Sequence, residues 1–185
     1  AFVERIVKPH TKCQTDDAML NSHGMKGMSL VEKLQPNDLG KATYFISHAW
    51  KQTFHVPQSA PWRGGLLEAI IGSTTEENKE STYFWFDAFN VNQHMRSPYG
   101  GLMAFAFDPL RNAMVRAGHV KLFFETWDDP RPLTRVWCLD EIRIALLLGK
   151  DVRVFMPPQV MESFKKNATM EMIERVTTRI DVSYA

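Results

Sequence analysis

Five short runs of β-branched and aromatic residues alternate with longer helix-like segments, and this alternation limits the fold more than any other feature. The runs are Thr43–Ser47, Thr82–Asp87, Val120–Trp127, Asp151–Met156 and Ile180–Tyr184. Each has the profile of a buried strand. Four helical segments lie between them: Trp62–Ile71, a stretch carrying Met103, Ala106, Phe107, Leu110, Ala113, Met114 and Ala117, then Val136–Leu148, then Gln159–Thr177. Pro109 predicts a kink or restart in the second. Gly149 predicts the end of the third. Strands alternating with helices predict an α/β fold, a five-stranded parallel sheet with helices on both faces. That domain is expected over residues 41–185. Residues 1–40, with a short helix expected at Ser29–Lys33, read as an N-terminal extension packed on it. A chain of 185 residues is long enough for one such core.

Open parallel sheets bind ligands beyond the carboxyl ends of their strands, where the strand order switches. That points to Ser47–Trp50, Asp87–His94 and Trp127–Arg135. Several chemistries are excluded there. No Gly-x-Gly-x-x-Gly follows the first strand, and there is no P-loop and no Gly-x-Ser-x-Gly elbow. Lys and Arg total 22 against 21 Asp and Glu, a net charge of +1. That balance argues against binding nucleic acid by bulk charge, and no nucleic-acid partner is expected. The longest apolar stretch, Ile144–Leu148, falls far short of the ~20 residues of a membrane span. Ala1–His10 carries Glu4, Arg5 and Lys8, so no signal-peptide core is read there and no membrane partner is expected. Two cysteines, Cys13 and Cys138, do not make a disulfide scaffold and fit a reducing, cytoplasmic setting. The chain begins with Ala and reads as a fragment or processed part of a longer protein. His10, Cys13 and His23 match no common zinc spacing, so no metal and no other cofactor is expected.

The segment Arg135-Val136-Trp137-Cys138-Leu139-Asp140-Glu141-Ile142-Arg143 is the strongest helix. Trp137 and Glu141, four apart, share one face. Asp140 and Arg143 read as solvent charges. Asn90, Asn92, Gln93 and His94 form a denser polar run than a turn requires, which points to a ligand-facing loop. Tyr99-Gly100-Gly101 would give that loop a hinge.

Three segments together resemble the signature boxes of Toll/interleukin-receptor (TIR) domains: Phe45-Ile46-Ser47-His48-Ala49-Trp50, Phe86-Asp87, and Trp137-Cys138-Leu139-Asp140-Glu141. Their order and spacing match over about Ala42–Tyr184. The Trp-Cys-x-x-Glu box is the most specific. The Asp87–His94 segment departs from the Arg/Lys-Asp-x-x-Pro-Gly loop of receptor TIR domains, as a divergent branch would. The resemblance implies a flavodoxin-like sheet. It also implies either of two functions: association with other TIR domains, or cleavage of the nicotinamide–ribose bond of NAD in defence or stress signalling.

In the cleaving class the Glu of the last box is catalytic, which carries over to Glu141. NAD is then substrate rather than cofactor, and self-association through TIR–TIR contacts completes the site. Residues expected at the substrate are His48, Trp50, Asp87, Asn90, Asn92, Arg135 and Trp137. Trp50 either stacks on a base or nicotinamide ring or packs the loop on the extension. Asp87 either faces the ribose or holds its loop. Trp137 also reads as packing beneath Glu141, and Cys138 as a small buried hydrophobe. Cleaving relatives often carry Arg after the first strand, where this chain has His48-Ala49-Trp50. Lys51, Arg96 or Arg135 would then contact the phosphates. A non-enzymatic adaptor and another N-glycosidic enzyme acting on nucleosides are the alternative functions.

Overall fold

A computed structural model describes residues 3–11, 27–55, 64–94 and 103–178. It shows an α/β fold whose strands are β1 (Tyr44–Ser47), β2 (Phe84–Trp85), β3 (His119–Phe123) and β4 (Val152–Phe155). They form a parallel sheet in the order β2-β1-β3-β4. The fifth predicted strand, Ile180–Tyr184, lies outside the described residues, as do Cys13, His23, Arg96 and Tyr99–Gly101. The helices are α1 (Lys8–Thr11), α2 (Leu66–Gly72), α3 (Asp87–Asn90), α4 (Met103–Arg116), α5 (Val136–Leu147), α6 (Pro158–Asn167) and α7 (Met170–Thr178). By contact the chain divides into two compact units, Ala1–Phe45 with Tyr83–Gly118, and Ile46–Thr82 with His119–Ala185.

In the first unit, the start of β1 pairs with β2, Tyr44 opposite Phe84 and Phe45 opposite Trp85. The rings of Phe45 and Trp85 stack with centroids 4.7 Å apart. β2 is shorter than the predicted Thr82–Asp87 because side chains pull the backbone into a turn. Asp87 Oδ1 accepts the Ala88 N–H at 2.6 Å, and Asn90 Oδ1 accepts the Phe86 N–H at 2.9 Å. Ser29 and Glu32 form a capping box, Ser29 donating both its N–H and its hydroxyl to Glu32 Oε2. The helix it opens is a single 3-10 turn, Val31–Lys33, shorter than expected. The expected restart at Pro109 does not occur, and α4 runs as one element. Its later stripe, Leu110, Met114 and Ala117, is buried. Gly27 has a left-handed φ of +73°, and a Cβ there would lie 2.6 Å from His94 Cδ2, so only glycine fits.

In the second unit, β3 pairs in parallel with β4, from Val120 opposite Val152 to Phe123 opposite Phe155. Residues 120–123 are all buried, as expected of a strand covered on both faces. β3 stops at Phe123, four residues before the predicted end. Its partner runs into Pro157 and Pro158 just past Phe155, so the ladder has nothing to continue on. The predicted helix Gln159–Thr177 is two helices. Ala168 is extended, and Thr169 Oγ1 accepts the Met172 N–H at 3.3 Å, which restarts the chain as α7.

The end of α5 follows the expectation from Gly149. Lys150 N–H donates to Ala145 O at 2.9 Å and Gly149 N–H to Leu146 O at 3.0 Å, with Gly149 at φ +64°. This is a Schellman cap. A Cβ on Gly149 would meet nothing within 4 Å, so the cost of adding one is purely conformational. Gly149→Ala should therefore destabilise the protein by only about 1 kcal/mol in urea unfolding.

Candidate functional site

The chain leaves β1 for β2 on one side, while β3 lies on the other, so the order switches between β1 and β3. Ligands of open parallel sheets bind at that point. The residues beyond the carboxyl ends of β1 and β3 all belong to the second unit.

The loop after β1 is tightly fastened there. Gln52 Oε1 accepts the Ala49 N–H at 2.7 Å, and Gln52 Nε2 donates to Phe123 O, the last carbonyl of β3, at 3.3 Å. One amide thus satisfies two backbone groups and bridges the switch point. Next to it, Glu125 Oε1 accepts the Thr53 N–H at 3.1 Å. A third tie comes from α5, whose Cys138 thiol donates to the His48 carbonyl at 3.3 Å. Ser47, the last residue of β1, is fully buried, and its hydroxyl has no hydrogen-bond partner among the described residues.

Glu141 enters this region from α5. The buried face of that helix is Cys138, Glu141, Ile144 and Ala145, spaced three and four apart. Glu141 is 8% exposed. A carboxylate costs more to bury than the apolar residue such a stripe would otherwise hold. One turn earlier, Cys138 meets the His48 loop, so Glu141 lies on the helix face that turns toward the loop after β1.

The other expected residues are distributed as follows. His48 is half-buried, and Trp50 is 52% exposed at the tip of the first loop. Trp137 is half-buried, and Arg135 is the exposed N-cap of α5. These share the unit of Glu141. Asp87, Asn90 and Asn92 belong to the first unit, where their polar atoms bond nearby backbone. Besides the Asp87 and Asn90 bonds above, Asn92 Nδ2 donates to Gly27 O at 3.1 Å, and Asn92 Oδ1 accepts the His94 N–H at 2.9 Å. His94 Nε2 lies 2.8 Å from the buried Thr11 hydroxyl.

Gln52 and Glu125 were missed in the sequence. Glu125 was hidden inside an overlong predicted strand, and the polar step from β3 into its loop was the available signal. Gln52→Ala would strand the Ala49 N–H and the Phe123 carbonyl. We expect a loss of about 1–3 kcal/mol in chemical denaturation.

Among the described residues, no three or more His, Cys, Asp and Glu are arranged to hold a metal ion. Among the same residues, no helix is long and apolar enough to cross a membrane.

Fold and geometry define an α/β protein with a buried carboxylate, Glu141, one turn along the helix from the thiol that ties down the loop after β1. No protein-family model, curated protein or solved structure matches the chain.

Proposed function

We propose that the chain is a flavodoxin-like, TIR-like domain that cleaves the nicotinamide–ribose bond of NAD, releasing nicotinamide and linear or cyclic ADP-ribose. The observation that carries this reading is Glu141, buried on the α5 face that meets the His48 loop.

The chemistry asks little of the protein. Nicotinamide departs as a neutral base from a cationic ring, so no general acid is needed. The barrier lies in the positive charge that develops on the ribose, as in glycoside cleavage. A carboxylate held in a dry site stabilises that charge far more strongly than one in water. Water, or the adenine ring for a cyclic product, then completes the displacement and loses a proton to solvent. In this reading Trp50, half exposed on a fastened loop, stacks on a flat ring of the substrate. Arg135 at the N-terminus of the twelve-residue α5 offers an anion site for the pyrophosphate.

Incubation with NAD, followed by chromatography of nicotinamide and ADP-ribose, tests the reading. Specific activity should rise with protein concentration as copies associate. No nicotinamide at any concentration would overturn it. Leu146 and Leu147 in the last turn of α5 are 65% and 73% exposed, which favours a second reading as a TIR–TIR interaction module. Concentration-dependent assembly without turnover would select that reading.

A further inference from the structure

The stretch after β1 leads to a histidine–carboxylate pair outside the Glu141 chemistry. His55 Nδ1 lies 2.6 Å from Glu68 Oε1. Glu68 stands in the first turn of α2. The His55 side chain is 51% exposed and that of Glu68 only 18%. An ionised carboxylate only accepts, so the proton between them belongs to Nδ1. In the neutral ring the lone pair then sits on Nε2, and the imidazole is a base with a fixed tautomer.

The backbone holds this pair in place. Leu66 N–H donates to Thr53 O at 2.9 Å and Leu67 N–H to Phe54 O at 2.8 Å, joining the chain just before His55 to the start of α2. The N-cap of α2 is Gly65, which offers the helix no side-chain cap. A Cβ there would clash with Glu68 Oε2 and come within 2.8 Å of the Phe54 carbonyl. The space of a capping side chain is thus given to the carboxylate. An exposed ion pair contributes only about 0–1 kcal/mol, so stability is a weak account of it.

His48 and His55 bound one eight-residue stretch, which turns back with Gln52 N–H donating to Ala49 O at 2.8 Å. At one end the His48 carbonyl receives the Cys138 thiol, one turn from Glu141. Near the other, two residues before His55, the Thr53 N–H is held by Glu125. The stretch lies at the carboxyl end of β1, where open parallel sheets bind ligands.

We propose that His55 is the general base for water in NAD cleavage, with Glu68 holding its ring. This role rests on the NAD reading given above. The water oxygen bonds to ribose C1′ as the C1′–N bond breaks, and nicotinamide leaves with the electron pair of that bond. The water proton passes to His55 Nε2 and from there to solvent. The Glu68 carboxylate stabilises the imidazolium formed on the way.

Wild type, His55→Gln and Glu68→Gln are incubated with NAD, with and without sodium azide, and nicotinamide, ADP-ribose and azido-ADP-ribose are separated by chromatography. Azide is the probe because it attacks carbon with no proton to lose. His55→Gln should form ADP-ribose ~10²-fold more slowly, the lower end of the range for a general base. Azide should restore its nicotinamide release as azido-ADP-ribose while adding little to wild type. Glu68→Gln should lose less, and azide should restore it too. The urea midpoint of His55→Gln should match wild type, since the side chain is half exposed. ADP-ribose formation by His55→Gln within a few fold of wild type, a loss that azide does not restore, or a larger loss in Glu68→Gln would each overturn this role and leave the NAD reading standing. A wild type that releases no nicotinamide would overturn both.

Discussion

Glu141→Gln should lower nicotinamide release from NAD by ~10³-fold while leaving the urea midpoint unchanged or raised. The rate loss is the upper range for removing a single group that stabilises transition-state charge. Glutamine keeps the shape and the hydrogen-bonding length of glutamate but not its negative charge. The stability expectation has the opposite sign for a physical reason. Glu141 occupies the stripe of Cys138, Ile144 and Ala145 and is 8% exposed. Burying a neutral amide there costs less than burying a charge. A residue kept for packing would show the reverse, full activity and lower stability. Parallel NAD assays and denaturation curves on both proteins separate the two, and activity within a few fold of wild type would exclude Glu141 as the catalytic group.

Phe123→Ala should cost about 3–5 kcal/mol, the range for removing a large aromatic side chain from a core. Phe123 has no exposed surface, and its ring lies 5.5 Å from that of Phe155 on the paired strand. Total stability of a domain this size is about 5–15 kcal/mol, so the loss would show as a large fall in the urea midpoint. Its consequence should also extend to the site. The Phe123 carbonyl receives the Gln52 amide, so a loosened strand end loosens the first loop. Phe123→Leu, which keeps most of the volume, should lose much less. Equal midpoints for Phe123→Ala and wild type would mean that the ring is not packed as described.

β1 was legible because its apolar residues run together: burial on both faces leaves no alternation to read, only an uninterrupted stretch. The end of β3 was not legible, because the two prolines that set it follow another strand. The break before α7 depends on one threonine hydroxyl, which is weak beside the periodicity on either side of it. Glu141 was visible as a carboxylate at helical spacing from Trp137, inside a distinctive box. The Gln52 and Glu125 ties were invisible for a different reason. Their partners are 71 and 72 residues away, and nothing local in the chain announces a bond across that separation.

The fastening of the first loop has a consequence for how such a protein diversifies. A thiol at one end and an amide at the other hold its backbone, so the loop's course does not depend on the exposed side chain of Lys51. Trp50 and Lys51 are both exposed. Under the proposed function, substitution at Lys51 would change the charge beside the ligand while the loop's backbone ties stay in place. New ligand preferences would then be reached by single steps that each leave a folded protein.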